Sequence, residues 1–400
     1  MTALPVDDGP RAPVSVLAAA FLFNLGQGVL RPALPLYLHR SFAANYRMVN
    51  AIPVVFGAGK WIAGLPTGYL LDRLGCSLMI WGLLLIALID LASIMTSTYG
   101  IFLGLRGLGG VGWAMFATVA TTAVVDVPTA QRRGRAVSLL LMSETSGLLV
   151  GSAAGGWLYE GLGATSPFVF EAACMLVAAV VVARSASLPA SPAAPPRASR
   201  GRGRLGAILR TPGVLLMGVT SGTLVMIQTG VLVFLFPLYL VTRGGISPRA
   251  AGFLISLGVL GRLLALWLGG IASDRWGRMR VLAPGLLAYG ATLGSLPLLT
   301  DQAALGVCSL AIGVTAGVVA PLPAALVGDQ VAPPLRGVAI GWLRMMSDTG
   351  QILGPLAMGA LADAADLSAP FLLGATLLAL TACRCRVGAM ATAAAGRGGS

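Results

Sequence analysis

The chain has 400 residues, 56% of them hydrophobic and only 10% charged, with a mean hydropathy of +0.86. A soluble domain keeps roughly a quarter of its residues charged, so these values exclude an ordinary soluble fold and indicate a polytopic membrane protein. The net charge of +13 suggests nucleic acid only until its distribution is mapped.

In chain order, "MTALPVDDGPRAPVSVLAAAFLF" is acidic before its apolar run and carries no convincing cleavage site. That run is read as a first helix rather than a removed signal. Apolar runs of about 20 residues, enough to cross a bilayer, then recur along the chain. They fall at 14–38, 47–71, 78–97, 99–125, 136–159, 167–184, 213–239, 250–272, 281–299, 303–327, 337–361 and 369–388. The expected fold is all-α, with twelve transmembrane helices in two pseudo-symmetric six-helix bundles. Residues 1–13 form an N-terminal tail, 14–184 the first bundle, 185–212 a linker, 213–388 the second bundle and 389–400 a C-terminal tail. The linker "RSASLPASPAAPPRASRGRGRLGAILR" is rich in Pro, Ala, Ser and Arg without an acidic residue, and reads as a flexible tether. The 54 glycines and 24 prolines suit helices whose backbones approach closely.

With both termini inside, 18 basic residues fall in cytoplasmic segments, among them Arg73, Arg132, Arg133, Arg135, Arg275, Arg278 and Arg280, with six more from Arg184 to Arg210. Four fall outside: Arg40, Arg47, Arg243 and Arg249. This is the positive-inside bias of an inner-membrane protein. It accounts for the basic charge and removes nucleic acid as a partner.

"GKWIAGLPTGYLLDRLG" (59–75) and "GRLLALWLGGIASDRWG" (261–277) share one pattern at an offset of 202. Lys60, Gly68, Asp72, Arg73 and Gly75 match Arg262, Gly270, Asp274, Arg275 and Gly277. Helix 1 "GVLRPALPLYL" and helix 7 "GVLVFLFPLYL" share that offset. Residues 133–168 and 336–371 align at 203, with Gly147/Gly350, Gly151/Gly354 and Gly156/Gly359 as anchors. An even number of spans repeated in one orientation gives two parallel halves, with a solute site expected between them near the midplane.

Charges at the membrane core are costly and therefore paired or functional. At about 1.5 Å per residue, Lys60 lies roughly 18 Å from Asp72, near the midplane, and Arg262 lies at the same depth; Glu144 and Asp348 are about 13–17 Å in. Arg31 in helix 1 has no counterpart in helix 7, where Val233 occupies the matching position, so its charge breaks the repeat. The cysteines Cys76, Cys174, Cys308, Cys383 and Cys385 have no metal or disulfide spacing. His39 is the only histidine. No nucleophile–base or metal-ligand constellation appears, so neither an enzyme, a metal nor a bound cofactor is expected.

These residues carry a resemblance to the major facilitator superfamily over residues 14–388. The loop motif Gly-x-x-x-Asp-Arg-x-Gly-basic-x-basic is matched by Gly270, Asp274, Arg275, Gly277, Arg278 and Arg280; the first copy has Cys76 and Ser77 where basic residues are usual. "RGLGGVGWA" (106–114) is similar to the helix 4 motif. "GLLVGSAAGG", with Gly147, Gly151, Gly155 and Gly156, resembles the helix 5 glycine motif of drug and metabolite antiporters, with Ser152 in place of its proline.

The resemblance implies helix 2 packed on helix 11 and helix 5 on helix 8, and hence ion pairs Lys60–Asp348 and Glu144–Arg262 whose acids carry protons during coupling. It implies a central cavity lined by helices 1 and 4, with Arg31 and Arg106 joined by Asn24, Gln27, Gln228 and Arg344 as candidate substrate residues. Two guanidiniums there suit a carboxylate or phosphate. Asp90 and Glu171 are weaker candidates. The Asp-Arg motifs read as gates, Asp72 meeting the N-terminal end of helix 11 where Gly64 and Gly68 allow close contact. The function expected is proton-driven export of a small amphipathic compound by a functional monomer. Uptake of an organic anion is the alternative, and a non-transporting sensor or scaffold a more distant one.

Overall fold

A computed structural model of the chain describes residues 14–125, 130–185, 212–331 and 336–397. The tail 1–13 and residues 186–211 of the expected linker lie outside the described residues. Six helices form the first half: α1 (Val14–Phe42), α2 (Tyr46–Leu74), α3 (Ser77–Met95), α4 (Tyr99–Val125), α5 (Ala130–Leu162) and α6 (Ser166–Ala183). In the second half, α7 comprises Pro212–Ile227, a π-helical stretch Gln228–Val233 and Leu235–Thr242. Then come α8 (Pro248–Trp276), α9 (Arg278–Ser295), α10 (Gln302–Val319, resumed as Leu322–Gln330), α11 (Arg336–Ala364) and α12 (Ala369–Arg397). Ten of these spans are long and apolar enough to cross a membrane. The other two, α2 and α11, are 29 residues each and carry Lys60, Arg344 and Asp348 in mid-helix.

Helices alternate in direction. The face where α1, α7 and the other odd-numbered helices begin is termed the termini face, and its opposite the far face. At the far face, Asn45 accepts from Met48 N at 2.9 Å to start α2, and Ser247 Oγ accepts from Ala250 N at 3.2 Å to start α8, each satisfying an orphan donor of the first turn. At the termini face both helices stop at the motif glycines. Gly75 (φ 55°) and Gly277 (φ 88°) adopt left-handed backbone, which non-glycine residues reach only at a cost. Their N–H groups return to Leu71 O at 2.8 Å and Ser273 O at 3.0 Å.

Within the halves the pairings repeat: α1 on α5 and α7 on α11, α2 on α4 and α8 on α10, α3 on α6 and α9 on α12. Between them, α5 packs on α8 and α2 on α11, as expected. The helix 5 glycines divide this work. Gly147, Gly151 and Gly155 lie one turn apart and press on the carbonyls of Phe21, Leu25 and Val29 of α1, whereas Gly156 presses on Pro248 of α8. With no side chains at these positions of α5, dispersion and close backbone contact hold the pair together in a medium that supplies no hydrophobic drive.

Helix 7 departs from the uninterrupted helix expected. Gly230 sits against Gly354 and Pro355 of α11, and Asn50 Nδ2 of α2 donates to Gly230 O at 3.3 Å. The π turn accommodates the crowding at this three-helix junction; such turns recur at functional sites.

Because the α1–α5 contact is backbone on backbone, Gly151→Leu should overpack it by about 1–3 kcal/mol. The check is a thermal melt of the purified variant in detergent, where a clear fall in Tm is expected and Gly161→Leu, whose Cβ position has nothing within 4 Å, should melt like the wild type.

Candidate transport site

Two cavities lie where the halves meet. The first, about 320 Å³, is walled by α1 and α5 from one half and α7, α8 and α10 from the other. Its lining is mainly apolar, including Leu148, Leu232, Phe236 and Val259, and its polar groups are Asn24, Arg31, Glu144, Thr145, Gln228, Arg262 and Ser309. The second, about 600 Å³, is walled by α2, α4 and α11 and contains Lys60, Trp113, Arg344, Asp348 and Gln351. The offset matching Lys60 with Arg262 therefore has a spatial counterpart: each cavity holds one of these bases and an acid from the partner half.

The expected pairs share cavities but are not ion pairs. Arg262 Nη1 donates to Gln228 Oε1 at 3.3 Å, an amide that the π-helical stretch of α7 supplies. Lys60 Nζ lies 4.0 Å from the centroid of the Trp113 ring, whose face attracts a cation. An amide and an aromatic ring thus take the places foreseen for Glu144 and Asp348. Arg31 has no hydrogen-bond or ion-pair partner among the described residues. Arg262 lines the same cavity, so two guanidiniums, one per half, share it.

Of the six candidate substrate residues, Asn24, Arg31 and Gln228 line the first cavity and Arg344 the second. Arg106 and Gln27 line neither. Arg106 is buried (7% exposed) within the first half, where its Nη2 meets Asp90 Oδ1 at 2.8 Å and donates to Ser93 Oγ at 2.7 Å. Gln27 Nε2 donates to Glu171 Oε1 at 2.5 Å. Both were expected in the cavity because α1 and α4 line it in related proteins; here the two side chains are drawn away from it by carboxylates on α3 and α6.

The gate motifs are partly described. Gly68, Asp72, Gly270 and Asp274 lie outside the residues whose surroundings the structure describes. Arg73 stacks on Tyr69 of its own helix, 4.5 Å from the ring centroid, and Arg275 is exposed. Arg278 Nη1 reaches Asp329 Oδ2 and Ala325 O, both at 2.7 Å, bracing the end of α10. Among the described residues nothing lies within 4 Å of the Cβ position of Gly64, or of Gly341 on α11, while Gly68 and the first turn of α11, where the contact was expected, lie outside the residues whose surroundings are described.

At the far face they are latched. Asp363, near the end of α11, accepts from Tyr46 N at 2.9 Å and Arg47 N at 3.0 Å, the first backbone donors of α2, with the Arg47 side chain 3.6 Å away. Glu160, near the end of α5, accepts from Arg249 N at 3.0 Å in the first turn of α8. Each carboxylate caps the positive end of a helix in the other half. Arg243 and Asp366 add a further ion pair between α7 and the α11–α12 connection. Glu160 and Asp363 were missed in the sequence although they match at the offset of 203, as Arg47 and Arg249 match at 202.

A family model described as Major Facilitator Superfamily matches residues 16–245 and 219–387. Over 351 residues, 85% of this chain and 86% of the relative, the chain is 25% identical to an uncharacterized MFS-type transporter, YcaD, of Salmonella enteritidis PT4. It is 29% identical to multidrug resistance protein 2 of Bacillus subtilis strain 168 over 168 residues, which span 42% of each chain. Among solved structures, the nucleoside transporter NupG superposes with a TM-score of 0.75 at 14% identity, covering 94% of this chain and 99% of that one. A bacterial homolog of the human lysosomal transporter Spinster, inward-facing and unoccupied, gives 0.73 at 14% identity, covering 94% of both chains.

A carboxylate at a helix N-terminus contributes about 0.3–1 kcal/mol. Neutralising both latches with Glu160→Gln and Asp363→Asn should thus shift the population away from the far-face-closed state by about 3- to 30-fold. Spin labels on the α1–α2 and α7–α8 connections would report this as a longer distance distribution; an unchanged distribution would mean that packing alone closes the face.

Proposed function

The chain belongs to the Major Facilitator Superfamily, and we propose that within it the protein is a proton-coupled exporter of a small amphipathic compound. It works as a monomer in the inner membrane, with both termini in the cytoplasm. The observation that carries this reading is the first cavity. It sits between the halves, so that rocking them about it would expose it to one side at a time. Its apolar walls with a few convergent polar groups are the usual make-up of a small-molecule site. The positive-inside bias makes the far face the outer one. The latched state is then the one that loads from the cytoplasm, as an exporter requires. The multidrug resistance relative points the same way, over less than half its length.

Arg31 and Arg262 refine the substrate. Facing one cavity from opposite halves, they would hold an anionic head group between them while the apolar wall takes its body, and so draw the halves together. Glu144 in the same cavity is the acid placed to exchange a proton as the substrate arrives and leaves, with Asp348 its counterpart in the second cavity. The two guanidiniums also favour a second reading, uptake of an organic anion with protons, which differs in the direction of proton flow.

Proteoliposomes loaded with a pH-sensitive dye, under an imposed pH gradient and offered lipophilic drugs, organic acids and sugars, separate the two. Protons moving opposite to a compound support export; protons accompanying an organic acid support uptake. In either case Arg31→Gln should lower the apparent affinity for anionic compounds about tenfold or more, the scale of a lost charge-assisted contact, while sparing neutral ones. Glu144→Gln should abolish proton coupling; unaltered coupling in that variant would remove Glu144 from the mechanism.

A further inference from the structure

The buried cluster that withdrew Arg106 and Gln27 from the cavity has an unbalanced composition. Asp90 of α3 and Glu171 of α6 are each 0% exposed, and Ser93 is also fully buried. Helices α3 and α6 pack on each other, and the Asp90 and Glu171 carboxyl groups interact across that contact. One guanidinium faces them, Arg106, held between the Phe102 and Phe168 rings at 5.4 and 5.6 Å. The other groups in contact are neutral: Ser93, whose hydroxyl donates on to Ile89 O at 2.6 Å, and Gln27 of α1.

Two carboxylates against one cation leave a net negative charge at zero exposure, where isolated charge is strongly disfavoured. The hydrogen-bond inventory has a matching gap. Asp90 Oδ2 and Glu171 Oε2 are buried without a donor, and Arg106 Nε is buried without an acceptor. A single added hydrogen neutralises the cluster and supplies a donor to the two orphaned carboxyl oxygens. We propose that Asp90 and Glu171 form a proton-binding site, remote from the substrate cavity, that holds one shared proton with Arg106 as its fixed counter-charge. Sharing of this kind follows when two carboxyls face each other in a low dielectric.

The site reaches the transport cavity through α1. Gln27 touches Glu171, while Asn24 and Arg31, three residues before it and four after, line the cavity; at 3.6 residues per turn all three lie on one stretch of helix surface. A substrate drawn to Arg31 shifts α1 and with it the amide on Glu171, so proton occupancy and α1 position are linked. This extends the proton-coupled reading above by naming a proton site, but its test requires no substrate.

The test is infrared spectroscopy of the purified full-length protein in nanodiscs at neutral pH, following the C=O stretch of protonated carboxylic acids and its shift in D2O. Asp90→Asn and Glu171→Gln each leave one acid and one arginine, a balanced pair that should fold, and each should abolish the band. Arg106→Gln leaves two acids with no counter-charge and should increase it. Glu144→Gln and Asp348→Asn should leave it in place. Absence of the band from the wild type overturns the proposal, as does its persistence in both cluster variants or its loss on Glu144→Gln. An exporter without the band would sink this inference alone; a band in a protein that moves no protons with any compound would sink only the coupled-export reading.

Discussion

An ionised group inside a membrane has to be hidden, paired or put to use, and the placement of the described charges follows from that constraint. Asp90, Arg106 and Glu171 are enclosed by the first half alone. Arg31, Glu144 and Arg262 open on one cavity between the halves, Lys60, Arg344 and Asp348 on the other. Glu160 and Asp363 sit at the far face, where water and helix ends share the cost of their charge. Enclosure ties charge into the first half; the cavities place it between the halves; the far-face acids link each half to a helix end of the other.

The two halves share a backbone plan and differ in chemistry. The same pairings of helices occur in both, and the second half repeats the close glycine contacts, with Gly350 on Gly222 and Gly354 on Met226. The departures are concentrated where a solute would sit. Arg31 has no basic counterpart on α7, whose matching stretch is a π turn that presents Gln228 to Arg262. The acid cluster of α3 and α6 has no equivalent on α9 and α12. In the proposed alternating-access cycle, the symmetric scaffold would supply the two access states and the asymmetric side chains would set what is bound.

Much of this was legible in the sequence because it rests on periodicity and repetition. Span lengths and the two halves follow from hydropathy and the offsets of 202 and 203, whereas the α2–α11 and α5–α8 interfaces came only with the family resemblance that the motifs carry. Residues facing the cavities were legible where one helix position decided the matter, as for Arg31, Lys60 and Arg262. Arg106 and Gln27 were misplaced because the groups that claim them, Asp90 and Glu171, lie 16 and 144 residues away in the chain; a helix number says which helix lines a cavity but not which way each side chain turns. The latches were overlooked for a different reason. Glu160 and Asp363 occupy aligned positions in the repeat, but their partners are backbone N–H groups, which leave no mark on a residue pattern.

That choice of partner bears on how the protein tolerates change. In a latch made of two side chains, substitution on either side breaks it. Here the receiving side is main chain at Tyr46, Arg47 and Arg249, and almost any residue at those positions offers the same donor. Half of each closure is therefore insensitive to drift in sequence, with proline the one replacement that removes the N–H. The side-chain share of these two caps rests on Glu160 and Asp363, with the Arg47 side chain 3.6 Å from Asp363, whereas the Arg243–Asp366 pair depends on side chains at both ends.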